Sequence, residues 1–241
     1  MAEVHLVQIS SYNVEDQERM ARAKNYFAWQ AKLVCRELGR RVLEVGCGVG
    51  NFTRHLLDRE AVLAIDAEAE CIDHLLQRYP QQPNLRAEVC ELTSSDLLAL
   101  NSFRADSCVC LNVLEHIEDD CRALDRIASV LTPDGVIVLL VPALPALYGP
   151  IDRNLGHHRR YTRASLSTSA HRAGLRIRKL HFVNSIGIFG WWTNAHILRR
   201  QKQSELQIEI FDRYFVPVLS RVEEWVPPPF GQSLFAVLQK S

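Results

Sequence analysis

From residue 40 onward, short runs of consecutive apolar residues alternate with stretches in which apolar positions recur every three or four residues. Unbroken apolar runs predict strands buried on both faces, and the wider spacing predicts helices. Ahead of them, Tyr26, Trp29, Leu33, Val34 and Leu38 predict a helix over 22–38, with Gly39 as its stop. Strands are expected near 41–46, 61–66, 84–90, 105–112, 135–141, 175–183 and 233–239. Helices are expected near 51–59, 68–78, 119–131 and 163–173, the last two ended by Thr132-Pro133-Asp134-Gly135 and by Gly174. Alternation of this kind builds an α/β fold around a parallel sheet with helices on both faces. Such sheets bind ligands beyond the carboxyl ends of their strands.

At the end of the first strand the chain reads VLEVGCGVGNFT, Val42–Thr53. Gly46, Gly48 and Gly50 let the backbone turn tightly and let a ligand approach without meeting a β-carbon. A helix opening near Asn51 would add free backbone N–H groups, which suit a nucleotide. The pyrophosphate fingerprint G-x-G-x-x-G does not fit, because Asn51 stands where its third glycine belongs. The second strand ends in Asp66, placed to accept hydrogen bonds from ribose hydroxyls. Its other reading is a cap for the helix that follows.

An acid followed by G-x-G-x-G, here Glu44, Gly46, Cys47, Gly48 and Gly50, resembles the first motif of class I S-adenosylmethionine-dependent methyltransferases. The resemblance implies a Rossmann-like, seven-stranded, mostly parallel sheet. It also implies that Asp66 with Ala67 receives the ribose, that Glu91 contacts the adenine amino group and Leu92 the adenine face, and that Asn112 and Val113 line the methionine arm. Asn112–Asp120, NVLEHIEDD, is similar to the segment after the fourth strand in a branch acting on small molecules. Glu115 and His116 are expected to hold this loop, with His116 also a candidate base. Some quinone-pathway relatives bind a divalent cation in this segment. Asn112 stands where they carry an acid, and no metal is expected here.

After the fifth strand, Gly156, His157, Arg159, Arg160, Tyr161 and Thr162 resemble a G-H-x-R-R-Y-T motif of a bacterial branch of the family. This is the one local basic cluster. It can build the loop, or it can meet an anionic acceptor through arginine forks. His157 and His158 join His116 as candidate bases. Tyr148, Arg159, Arg160, Tyr161, Trp191 and Trp192 are candidate acceptor contacts. Residues 184–231 form an aromatic-rich insertion before the last strand. The resemblance implies an acceptor lid; a homodimer face or a contact with a lipid-linked substrate are the alternatives.

Composition narrows the picture. The 241 residues carry 28 basic and 28 acidic side chains, so no overall basic excess points to nucleic acid. The seven cysteines are odd in number, several lie in apolar runs and none forms C-x-x-C, which fits a reduced, cytoplasmic setting. No targeting or membrane-spanning segment is expected. The expected organisation is one domain over 1–241: an N-terminal helical segment 1–39, a cofactor core 40–183, a lid 184–231 and a final strand 232–241. The expected activity is methyl transfer from S-adenosylmethionine, leaving S-adenosylhomocysteine, to a small-molecule acceptor. The alternatives are a non-catalytic cofactor-binding subunit and an NAD-dependent oxidoreductase.

Overall fold

In a computed structural model of the chain, which describes residues 10–198 and 204–240, seven strands form one sheet. They are β1 (Arg41–Val45), β2 (Ala61–Asp66), β3 (Leu85–Val89), β4 (Ala105–Leu111), β5 (Leu131–Pro142), β6 (Leu175–Val183) and β7 (Ser233–Lys240), in the order β3-β2-β1-β4-β5-β7-β6. β1 to β5 are parallel, and β7 runs antiparallel between β5 and β6. The order reverses between β1 and β4, so the carboxyl ends of these two strands flank the crevice where such sheets bind ligands.

The unbroken apolar runs form strands because both faces of the sheet are covered. Leu43 and Val45, Cys108 and Cys110, and Ile137 and Leu139 face one core, with α4 (Asp120–Val130) and α6 (Arg163–Arg172) packed over it. Val42, Val109, Val138 and Phe235 face the other, covered by α2 (Lys24–Val34) and α9 (Val216–Trp225). The smaller α3 (Ala69–Arg78) packs Ile72 and Leu75 on Ala64 and Cys47.

Three expected elements differ. The helix expected over 22–38 is shorter: α2 covers Lys24–Val34 and a 3₁₀ turn covers Cys35–Glu37, while a separate helix, α1, covers Ser10–Met20 ahead of it. No α-helix forms over 51–59, where turns surround a 3₁₀ segment, Thr53–His55. Side chains there are drawn elsewhere: the Asn51 amide donates to the Gln17 carbonyl at 2.6 Å and the Thr53 hydroxyl to Glu44 at 2.7 Å. β5 starts earlier than expected, because Leu131 already pairs with Ala105. The Thr132–Gly135 turn motif is taken up as an irregularity before the ladder resumes at Ser107 and Val136.

The insertion is helical. It contains α7 (Gly187–Trp192) continued by a π segment, and α8 (Glu205–Ile210) joined to α9 through a second π segment, Phe211–Phe215. Two buried acids tie it down. Asp212 accepts from the first backbone amides of α2, Asn25 and Tyr26, at 3.2 and 2.8 Å. Glu223 accepts from the amides of Asn184 and Ser185, both at 2.8 Å. A short helix α5 (Pro150–Asn154) lies in the loop after β5. Among the described residues no helix is long and apolar enough to cross a membrane.

Candidate active site

The glycine turn sits where the sheet order reverses. Gly46, Gly48 and Gly50 have φ of 71°, 51° and 82°, the left-handed region that other residues enter at a cost. At Gly46 space excludes a side chain as well, since a β-carbon would lie 2.2 Å from Val113 Cγ2. Asp66 braces the turn: its carboxylate accepts from the Gly48 amide at 2.8 Å and from the Glu68 amide at 3.0 Å. The following helix begins at Ala69 with Glu68 in the cap position, so Asp66 ties its entry without capping it. Asn112, at the end of β4, holds φ 54° with its amide bonded to the Leu140 carbonyl at 2.7 Å. A non-glycine residue in this region is sustained only by its surroundings.

A cavity of about 320 Å³ opens above this turn. Glu44, Gly46, Cys47 and Asn112 line its floor; His116, His157, Arg160 and Trp191 line its far wall. Of the other expected cofactor residues, Asp66, Gly48 and Val113 support the turn from outside the cavity lining. Gly50 accepts from the Tyr79 hydroxyl at 3.1 Å. Ala67 and Glu91 are exposed, and Glu91 accepts from the Thr93 hydroxyl. Leu92 is buried in the core under the sheet, so it does not present a face to the crevice.

Glu44 is 3% exposed and accepts from Thr53, and among the described residues it has no ion-pair partner. Burial pushes its carboxyl up to about 8, and the Asp66 charge adds to the rise. A carboxyl in this position favours a positively charged ligand, which would restore its ionised form. The Cys47 thiol, in the same turn, is pushed far up by burial and by the Glu44 and Asp66 charges, so it is no nucleophile.

The opposite wall is a polar network. Asp152 is fully buried and holds His157 Nδ1 at 3.0 Å and Arg160 Nε at 2.8 Å. Burial alone would raise its pKa, but the His157 hydrogen bond, the Arg160 charge and the Gly149 amide together hold it below the ordinary value. An ionised carboxylate only accepts, so Nδ1 of His157 is the donor in this pair and Nε2 is the nitrogen turned away from Asp152. Nε2 faces Glu115 Oε1 across 3.9 Å, too far for a direct hydrogen bond. Glu115 is fully buried, and neither of its carboxyl oxygens has a partner among the described residues. Burial pushes it up to about 8, assisted by the Asp152 charge. His116 packs edge-on against His157 with ring centroids 4.7 Å apart. The walls of the cleft desolvate it and the His157 and His158 rings repel its charge, lowering it to about 4 although one edge stays open to solvent. Donor atoms of Glu115, His116 and His157 all lie within 4.8 Å of one another, close enough for one divalent cation to share. The sequence expectation of no metal did not anticipate this trio.

The remaining expected residues build the loop. His158 is exposed, and its amide donates to the Glu115 carbonyl at 2.8 Å. Arg159 donates to the Glu118 carbonyl at 2.6 Å and pairs with Asp120. Arg160 also donates to the Ala143 carbonyl at 3.0 Å and lies 4.6 Å over the Trp191 ring. Tyr161 is buried with its hydroxyl 3.0 Å from Asp120, and the Tyr148 hydroxyl donates to the His157 carbonyl at 2.7 Å. Trp192 points to solvent, leaving Trp191 and Arg160 as the expected acceptor contacts that reach the cavity. Sequence reasoning missed Gln17, Met20, Tyr26 and Gln30, which close the cavity from α1 and α2. Gln17 Oε1 accepts from the Val49 amide at 2.8 Å, directly over the turn. No local motif marks these residues. Asp152 could have been suspected from P-I-D-R-N beside the histidines.

Known proteins resemble this chain in sequence and in fold. A sequence relative, the ubiquinone biosynthesis O-methyltransferase of Haemophilus ducreyi, is 28% identical over 106 residues, covering 42% of this chain and 44% of that protein. The chain thus spans less than half the length of the curated relative it matches. In fold it is similar to a chain of the complex between the Haloferax volcanii Trm112 methyltransferase activator and a methyltransferase, with TM-score 0.62 and 17% identity over 96% of this chain and 95% of that one. It is also similar to the 4+2 cyclase SpnF, with TM-score 0.59 and 17% identity over 88% and 80% of the two chains. The methyltransferase domain model matches residues 12–180, from the helix over the glycine turn to within β6, and this chain therefore belongs to the methyltransferase domain family, whose cofactor is S-adenosylmethionine.

Proposed function

We propose that this protein transfers a methyl group from S-adenosylmethionine to a hydroxyl group of a small, uncharged acceptor, with His157 as the general base. The observation that carries this reading is one cavity lined on one side by Glu44 and the glycine turn and on the other by His157, with Asp152 bonded behind it. The bound cofactor supplies an electrophilic methyl group on its sulfonium. Glu44 offers a buried carboxyl to the cationic end of that ligand, and Asp66 braces the Gly48 turn on which its ribose would rest. The gap of 3.9 Å between His157 Nε2 and Glu115 accommodates a hydroxyl that donates to Nε2 and accepts from the protonated Glu115. Asp152 then stabilises the imidazolium that forms. Arg159 and Arg160 are engaged with Glu118, Asp120, Asp152 and Ala143, which favours a neutral acceptor over an anionic one.

The similarity to a cyclase supports a second reading, in which the cofactor is held but its methyl group is not transferred. Calorimetric titration with S-adenosylmethionine, S-adenosylhomocysteine and NAD, on wild type and Asp66→Ala, separates the cases. Micromolar binding of both adenosyl ligands, weakened in the variant and absent for NAD, supports the proposal. Binding of NAD alone refutes it. Tight adenosyl binding without methylation of any compound in a phenol and alcohol panel favours the second reading.

A further inference from the structure

A second cavity, of about 390 Å³, lies between α7, α8 and the start of α2. Five residues wall both cavities: Met20, Tyr26, Trp191, Ile208 and Gln232. The two cavities therefore adjoin, with Trp191 among the side chains between them. Its lining is largely apolar, with Ile186, Phe189, Ile210, Phe211 and Phe215 around it. Phe189 is 70% exposed at its rim, so the entrance from solvent is apolar as well. Two buried polar atoms belong to residues of this lining, and one of them, on Trp191, lies on the wall shared with the first cavity. Trp191 Nε1 and Asn194 Oδ1 are buried without partners among the described residues, and Asn194 is only 8% exposed. The Asn194 amide nitrogen is already engaged with Gln207 at 3.1 Å, so its oxygen is what remains for a ligand.

We infer that this second cavity holds the apolar tail of the methyl acceptor, making the acceptor an amphiphile: a hydroxyl-bearing head beside His157 and a hydrocarbon chain among the lid aromatics. The inference rests on the proposed function for the identity of the head. The cavity size, at the lower end of ligand pockets, suits a medium-length chain. Each methylene moved from water into such a site is worth about a fourfold gain in affinity.

The test uses 4-n-alkylphenols from ethyl to octyl, titrated calorimetrically into the full chain with and without S-adenosylhomocysteine. In wild type the dissociation constant should fall about fourfold per methylene and then level off as the cavity fills. Gly190→Phe places a ring on the cavity wall at a position where a β-carbon meets nothing within 4 Å. Ile210→Trp narrows the cavity from its partly exposed side. Either variant should flatten the series while leaving S-adenosylhomocysteine affinity unchanged, and the second guards against a folding defect in the first. A series that is flat in wild type, or equally steep in wild type and both folded variants, overturns the inference. A steep series flattened by the variants, in a protein that binds no adenosyl ligand, would keep the tail site and remove the proposed function.

Discussion

Replacing Glu44 by Gln should make the ligand-free protein more stable and the cofactor site weaker. The Glu44 carboxyl is raised from 4.5 to about 8, chiefly by burial. Its folded form therefore holds a proton more tightly than its unfolded form. The stability linked to this group is complete below about 4.5 and falls as pH rises through about 8. At about 1.36 kcal/mol per unit, the loss approaches an upper bound of about 5 kcal/mol above that range. Glutamine keeps an oxygen for the Thr53 hydroxyl and carries no charge to desolvate. At pH 8.5 the variant should gain about 3–5 kcal/mol, or roughly 6–20 °C in Tm for a chain of this size. At pH 5 the two proteins should melt nearly together. Thermal unfolding at both pH values reads the first effect, and calorimetry with S-adenosylmethionine reads the second. Removing a buried partner of a cationic ligand should weaken binding roughly a hundredfold or more. A variant that melts below wild type at pH 8.5 and binds the cofactor equally well would refute the argument.

The other predictions address the remaining parts of the site. His157→Ala should lower kcat roughly 10²–10⁴-fold with S-adenosylhomocysteine affinity unchanged, and an unaltered kcat would remove His157 as the base. Gly46→Ala should strain the turn at φ 71° and collide with Val113, costing on the order of 1–3 kcal/mol in urea unfolding and most of the cofactor affinity; wild-type affinity would contradict the tight-turn argument. Asp152→Asn should cost roughly 3–5 kcal/mol because Arg160 is left buried without its counter-charge. Adding Arg160→Met should recover much of that loss, and strict additivity of the two changes would show that the pair is uncoupled.

Much of the fold could be read directly from the chain. Val42–Val45, Ala61–Ile65 and Ala105–Leu111 lie in strands near the expected bounds because continuous apolar residues on both faces need cover on both sides. The glycine turn was legible for a similar reason: three positive-φ positions close together favour glycine, which enters that region without steric cost. The absent helix at 51–59 was not legible. Thr53 and Asn51 find partners in Glu44 and Gln17, and neither contact leaves a trace in local spacing. The role of the basic cluster was equally open. Only the position of Asp152 and Asp120 in space shows that Arg160 and Arg159 hold the loop.

Local sequence determined where strands begin, where the chain turns on glycine and which end of the sheet would carry a ligand, since these follow from backbone sterics and apolar periodicity. Tertiary structure decided what the site is made of. It set Gln17 over the glycine turn and Asp152 behind His157, and it turned the unpartnered Glu115 toward the same cavity. It also pinned the aromatic insertion to α2 through Asp212, opening the second cavity beside the first. Apart from the Asp152–His157 pair, these contacts join residues far apart in the chain, and their energy comes from burial and paired charge, which no local pattern encodes.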